Sequence, residues 1–426
     1  MKTRKPITSD ITFLTHFNRE FNVDRFNVHA IDDESKVRLK KVEDLLNSIS
    51  EDDISPIGLL KSVYKKIAIY YLFNERNKEA ALKYLKKYQS LIPENTVDYA
   101  HICTLMGYAN TIDPTFRDDT LFLEALSIYP ENANDPEVMQ YRAFALQYIG
   151  LIFHRKAIEC DKTNRLDNAR ENTKKALTYI RQAVDIQRTC LLTFSLIRIG
   201  LAESLHIEGV MLIRCGETSN AACFEEANQK LEEAALLEKA FCEETKATHF
   251  LVATTLQSLA KVLMYLGKQD EAIDKLNEAY HLQIKLLNTS VHQDIAKTLH
   301  FKGDVYVNKK AYLKAVDAYM ETWLVRKKIS YRDAFMVDLT QKALLKALQE
   351  LEKENLQLAL AKYREIYVRV KEENNASEFA KTIFDKIEKL RLLTSDVLLF
   401  NASTTEEDKV QKVQGQVATN DLTYYP

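Results

Sequence analysis

The spacing of apolar residues along this chain is that of α-helices, and one long stretch of it occurs twice. His249-Phe-Leu-Val-Ala-Thr-Thr-Leu256 recurs as His292-Gln-Asp-Ile-Ala-Lys-Thr-Leu299, 43 residues later. Each copy is followed at equal offsets by a second helical pattern, made of Ala272, Leu276 and Ala279 in the first copy and Ala315, Tyr319 and Thr322 in the second. A fixed period of this length predicts an array of helix pairs that buries its core between neighbouring repeats.

Glycines recur within the same framework. Gly150, Gly209 and Gly303 each follow a leucine by four residues, in the middle of a predicted first helix. A helix pair needs a small residue where its two helices approach most closely, so we expect close packing at these three positions. Gly216 and Gly267 are predicted to end first helices, because glycine readily adopts the left-handed conformation found there.

The two ends of the chain do not follow the repeat. Phe13, Phe17 and Phe21 lie on one stripe of a predicted helix, which we expect to cover the exposed face of the first repeat. No convincing helix-turn-helix is present there. We predict a helical cap over residues 1–60, the repeat array over 61–373, a capping helix over 374–400 and a polar, disordered tail over 401–426.

Composition agrees with a helical protein and narrows its function. Glycine occurs nine times and proline seven times, with no proline between Pro136 and Pro426. The formal net charge of −2 argues against a sequence-independent nucleic-acid binder, which needs a cationic surplus. No transmembrane segment or secretory signal is expected, and the scattered cysteines are interpreted as reduced, buried thiols. We therefore expect a cytoplasmic protein.

The repeated spacing resembles the tetratricopeptide repeat over about residues 60–373, most clearly over 249–329. The best copy contains Leu256, Leu259, Ala260, Leu263, Gly267, Ala272, Leu276 and Ala279, and the next contains Leu299, Gly303, Tyr306, Ala315 and Tyr319. The period and the histidine before each first helix are similar to the kinesin-light-chain class, although its usual His-Pro-Asp reads His292-Gln-Asp here. The resemblance implies an all-α superhelix of about seven helix pairs that binds peptides or helices in a concave groove.

No pattern for catalysis or cofactor binding is found. Gly209 to Gly216 has the gap of a phosphate-binding loop, but Cys215 and Glu217 stand where that motif needs other residues. The histidines do not pair at metal-ligand spacing with each other or with cysteine. We therefore predict no enzyme activity, no metal site and no cofactor.

Two positions of each first helix are predicted to face the groove. The position after the anchoring leucine holds Gln147, His206, Gln257 and His300, and the position eight residues further on holds Arg155, Arg214, Tyr265 and Asn308. Neighbouring candidates are Tyr148, Lys261, Lys297 and Asp304. Stacked amides, imidazoles and guanidiniums could grip a peptide backbone or an acidic segment, while an ordinary polar helix face explains them equally well. Leu151 and Val210 stand where the carboxylate clamp of chaperone-binding repeats uses asparagine, so chaperone tails are not expected ligands.

Three functional hypotheses remain open at this point. The first is a non-enzymatic scaffold or adaptor that binds a linear segment of a partner protein in the groove. The second is a bacterial peptide-sensing regulator with an N-terminal helical module, and the third is a pathogen effector that binds a host protein. A protein or peptide partner is common to all three, and no nucleic-acid partner is expected.

Overall fold

A computed structural model describes residues 6, 8–21, 33–49, 54, 57–191, 198–245, 250–329, 334–373 and 378–392. Within these residues the chain is all-α, with seventeen helices and no strand. The helices are α1 (Thr8–Glu20), α2 (Asp33–Ser48), α3 (Ile57–Phe73), α4 (Lys78–Gln89), α5 (Val97–Thr111), α6 (Thr120–Ile128), α7 (Pro136–Lys162), α8 (Leu166–Leu191), α9 (Arg198–Thr218), α10 (Cys223–Thr245), α11 (Phe250–Tyr265), α12 (Gln269–Leu287), α13 (Gln293–Asn308), α14 (Tyr312–Lys328), α15 (Ala334–Glu354), α16 (Leu356–Glu373) and α17 (378–392).

The chain forms two compact units, Met1–Val262 and Leu263–Pro426. In the first unit, α3 packs on α4, α5 on α6, α7 on α8 and α9 on α10, and each of these pairs also contacts the next. In the second unit, consecutive helices from α12 to α16 pack on one another in the same way. Each unit is thus a series of antiparallel helix pairs, as the repeated pattern predicts. In the described part of the chain, no helix is long and apolar enough to cross a membrane.

Close approach at glycine defines the pairing within the hairpins. A Cβ atom at Gly209 would lie 2.5 Å from Leu231, and one at Gly303 would lie 2.4 Å from the ring of Tyr319. At Gly150 the added atom would lie 3.2 Å from the carbonyl oxygen of the facing second helix. These distances confirm close packing between the two helices of a pair at the three mid-helix glycines.

The two glycines expected at helix ends differ from each other. Gly267 lies in the turn between α11 and α12 with φ of +78°, as predicted. Gly216 was expected at the same kind of end, but α9 continues to Thr218 and keeps Gly216 helical. The physical reason is packing, because a Cβ atom at Gly216 would lie 2.4 Å from the ring of Phe224.

The terminal helices pack on their neighbours. Helix α1 contacts α2 and α3, and it buries Phe17 and Phe21, whose stacked ring centroids lie 4.4 Å apart. In the second unit, α17 places Phe379 5.9 Å from the fully buried Trp323, measured between ring centroids. The tail 401–426 and His249 lie outside the described residues. His292 caps α13, since its Nδ1 accepts from the backbone N–H of Asp294 at 3.2 Å.

Candidate functional site

The structure places the first predicted groove position inside the protein. Gln147, His206 and Gln257 are 0%, 8% and 3% exposed. Gln147 on α7 accepts a hydrogen bond from Ser204 Oγ on α9 at 3.4 Å. His206 Nδ1 on α9 lies 3.0 Å from Thr255 Oγ1 on α11. These side chains therefore join successive first helices to each other, and a partner could reach them only through the side chains around them.

The second position places two arginines in the C-terminal parts of α7 and α9. Arg155 donates to the backbone carbonyl of Thr111, with its two terminal nitrogens 3.4 and 3.5 Å from the oxygen. Arg214 forms an ion pair with Asp161 and donates to Thr173 Oγ1 at 3.3 Å. The side chain of Arg214 is 12% exposed, so its guanidinium is partly shielded from water.

The neighbouring candidates of the first unit have different surroundings. Lys261 on α11 pairs with Glu217 on α9 at 2.7 Å, and both side chains are about one-third exposed. Tyr148 lies in an aromatic cluster, with its ring centroid 4.7 Å from that of Phe144 and 5.0 Å from that of Tyr108. Because Tyr148 is only partly buried, its ring edge adds an apolar border to this part of α7.

The second unit contains the remaining predicted residues. Asp304 accepts a hydrogen bond from Tyr319 at 2.6 Å, and His300 Nε2 lies 4.0 Å from the same carboxylate. Burial and the nearby charge of Arg326 lower the pKa of His300 to about 4, so the imidazole is neutral at pH 7. Three of these side chains are exposed to solvent: Tyr265 at the end of α11, and Lys297 and Asn308 on α13.

A buried histidine shows that three of the predicted cations lie near one another. His154, on α7, is mostly buried, and burial is the main cause that lowers its pKa to about 4. Arg214, Lys261 and Arg155 each lower it further by repulsion, while Glu217 opposes them. These four charged groups, carried by α7, α9 and α11, therefore lie near one neutral imidazole. We call the residues Arg155, Arg214 and Lys261 the cationic cluster.

Sequence reasoning missed a row of buried hydroxyl groups next to the predicted groove row. Ser204, Thr255 and Thr298 come directly before the anchoring leucines Leu205, Leu256 and Leu299. Thr255 donates to Glu238 Oε1 at 2.6 Å, and Thr298 donates to Gln283 Oε1 at 2.7 Å. The recurring small hydroxyl residue was a visible signal. Its partner could not be predicted, because the partner lies on the preceding second helix.

Comparison with known proteins gives matches among solved structures. No protein-family model and no curated protein sequence matches the chain. A structure of nearly identical TPR-like repeats of kinesin-light-chain type from Podosopora anserina is 17% identical, covers 56% of this chain and 99% of its own, and has a TM-score of 0.37. A Rap protein complexed with Competence and Sporulation Factor is 14% identical and covers 92% and 99%, with a TM-score of 0.44. The apo form of RapI is 12% identical and covers 91% and 99%, with a TM-score of 0.47.

The helix pairs themselves carry the conclusion on fold. A mid-helix glycine faces a large side chain of the second helix in two of the pairs, Gly209 with Leu231 and Gly303 with Tyr319. Alanines at the matching second-helix positions, Ala234 and Ala279, are fully buried. The chain therefore has the tetratricopeptide-like helical-repeat fold.

Proposed function

We propose that this protein is a non-enzymatic interaction protein that binds a linear, acidic segment of a partner along α7, α9 and α11. The single observation that supports this most strongly is the cationic cluster around His154. Adjacent first helices bring its three members together from positions that are far apart in the sequence. A segment that lies across these helices would contact all three cations at once.

The charge balance favours a carboxylate ligand. Two members of the cluster already pair with acidic side chains, Arg214 with Asp161 and Lys261 with Glu217. Arg155 donates instead to a neutral carbonyl group; burial lowers its pKa and the charge of Arg117 lowers it further, while Tyr148 and Asp113 oppose this. An additional carboxylate would relieve this repulsion. Charge-assisted hydrogen bonds to a guanidinium are among the stronger contacts available to a peptide ligand.

Binding of a defined acidic probe tests the proposal. Fluorescence anisotropy would compare a labelled glutamate-rich peptide with its glutamine-substituted twin at low and moderate salt. The glutamate peptide should bind more tightly, and its affinity should fall as salt rises. Arg155→Gln and Lys261→Glu should each weaken it by about 10-fold, which corresponds to roughly 1.4 kcal/mol.

A charge change elsewhere provides the matched control. Lys174 is exposed on α8, so Lys174→Glu changes the net charge as much as Lys261→Glu does without altering the cluster. Circular dichroism should show that all variants remain helical. Equal binding of the two peptides, or equal weakening by Lys174→Glu and Lys261→Glu, would show that the cluster is not the binding site.

A peptide-sensing regulator is the second candidate. It is favoured by the helices α1 and α2, which precede the first helix pair, and α1 packs on both α2 and α3. The two candidates differ in what binding does. A sensor should gain thermal stability with short peptides in a sequence-dependent way, whereas an adaptor should need only the acidic segment of its partner.

A further inference from the structure

Two cysteines meet at the turn between α9 and α10. The thiol of Cys223, the first residue of α10, lies 2.9 Å from the sulfur of Cys215 near the end of α9. Both side chains are partly exposed, which differs from the expectation that they are buried. Cys103, Cys160 and Cys190 are buried as expected.

The local fold holds these two sulfurs together. The ring of Phe224, next to Cys223, packs directly on Gly216, next to Cys215, at a distance that leaves no room for a Cβ atom. The turn is also closed by its backbone, because the N–H of Ser219 donates to the carbonyl of Cys215 at 2.9 Å and the N–H of Cys223 donates to the carbonyl of Asn220 at 3.0 Å. The contact between the thiols thus follows from the packing of the two helix ends.

We infer that Cys215 and Cys223 are a redox modification site, at which a hydroperoxide converts the two thiols into an intramolecular disulfide that closes the α9–α10 turn. The sulfurs need to approach by about 0.9 Å to reach the ~2.05 Å of a disulfide bond. The inference does not rest on the proposed function, since it concerns the sulfur chemistry of one hairpin.

The reaction is balanced as follows. One thiolate attacks the peroxide, the O–O bond breaks, and the sulfur becomes a sulfenic acid while an alcohol or water leaves. The second sulfur attacks the sulfenic sulfur, the S–S bond forms, and water carries away the hydroxyl group with a proton. Two thiols are oxidised and one hydroperoxide is reduced. Burial and the neighbouring Cys223 raise the pKa of Cys215 to about 11, which disfavours the thiolate of Cys215.

The charges near Cys215 come from helices α8 and α10. Glu226 on α10 raises the pKa of Cys215, and Arg181 on α8 lowers it. Arg181 pairs with Glu226 at 2.7 Å, so the two effects come from one ion pair. The described sulfurs outside this hairpin have other neighbours: Cys190 lies 3.5 Å from the sulfur of Met139, and Cys160 accepts from Asn172 at 3.7 Å.

Peptide mapping tests the inference directly, because both cysteines fall in one tryptic peptide, residues 215–230. The folded full-length protein would be treated with a few equivalents of hydrogen peroxide, denatured, alkylated and digested. Peptide 215–230 should lose the mass of two hydrogen atoms and take up no alkylating group. Dithiothreitol should restore two alkylation sites, and hydrogen exchange should slow in the α9–α10 turn of the oxidised protein.

Serine variants separate this pair from the other thiols. Cys215→Ser and Cys223→Ser should abolish the change, whereas Cys242→Ser should leave it intact because Cys242 lies elsewhere on α10. Complete double alkylation of peptide 215–230 after peroxide would overturn the inference. A disulfide that joins either cysteine to a different cysteine or to a second molecule would overturn it as well, and so would oxidation that dithiothreitol does not reverse.

Discussion

Replacing one buried carboxyl group should change how the stability of this protein depends on pH. Glu238, on α10, is 0% exposed, and its Oε1 accepts a hydrogen bond from Thr255 at 2.6 Å. No described residue hydrogen-bonds its second oxygen, Oε2. Glu238→Gln keeps the shape of the side chain and removes the ionisable group. The chain already uses this arrangement, because Gln283 bonds Thr298 at the corresponding place in the second unit.

The size of this pH effect on stability follows from the shifted pKa of the Glu238 carboxyl group. Burial raises the pKa of Glu238 from 4.5 to about 8, the hydrogen bond from Thr255 opposes this, and the charge of Glu203 adds to it. Because the pKa of Glu238 is raised in the folded state, the protonated side chain contributes its full stabilisation below pH about 4.5. This stabilisation is lost as the pH rises through 8, since the buried group must then ionise. A difference of this size corresponds to roughly 5 kcal/mol, which is an upper bound for the penalty of ionising the buried group.

Hydrogen exchange and thermal unfolding at several pH values would measure this effect. Wild type and Glu238→Gln should be similar near pH 5, and wild type should lose protection in α10 and α11 toward pH 9 while the variant does not. The converse change, Gln283→Glu, should create the same pH dependence in α12 and α13. Parallel pH profiles for wild type and Glu238→Gln would refute the reasoning, since they would mean that Glu238 ionises in the folded protein at no cost.

Two further predictions concern glycines. Gly303→Leu should lower the free energy of unfolding by about 1–3 kcal/mol or more, because its side chain would enter the space of the Tyr319 ring. Hydrogen exchange should show a loss of protection around α13 and α14, while α7 and α8 stay protected. A uniform loss of protection would contradict a repeat array. Gly267→Ala should lower the free energy of unfolding by about 1 kcal/mol because of its positive φ, although the space around it is empty. Gly58→Ala in α3, where space is also empty, should raise the free energy of unfolding by about 0.5 kcal/mol. Equal effects of the two variants in thermal unfolding would contradict a conformational cause.

The fold could be predicted from the sequence where a feature is local and recurs. Apolar spacing and the mid-helix glycines predicted the helix pairs, since both are local features that recur at a regular spacing. Gly216 follows a predicted first helix, and a glycine at that place usually marks a helix end. Its actual role depends on Phe224, which sequence spacing alone could not place against it.

The candidate site could be predicted only in part. The sequence shows the polar row after the anchoring leucines but does not show that it is buried. Periodicity places a residue on one face of its helix, and it does not show which other helix covers that face. Gln147 is covered by α9, 57 residues away in sequence, and His206 by α11, 49 residues away. Whether a polar side chain is a ligand contact or an internal bond depends on such distant partners.

Buried hydrogen bonds between neighbouring helices help to set the register in which divergent repeats pack on one another. Stripes of leucine and alanine can match in more than one register, so apolar contacts alone discriminate weakly between alignments. Thr255 with Glu238 and Thr298 with Gln283 each join a first helix to the preceding second helix inside the core. Sliding either first helix by one turn would bury both partners without a hydrogen bond, at a cost of about 1–3 kcal/mol for each group. These bonds therefore fix the register of α11 on α10 and of α13 on α12, and the first of them positions the helix that carries Lys261 of the cationic cluster.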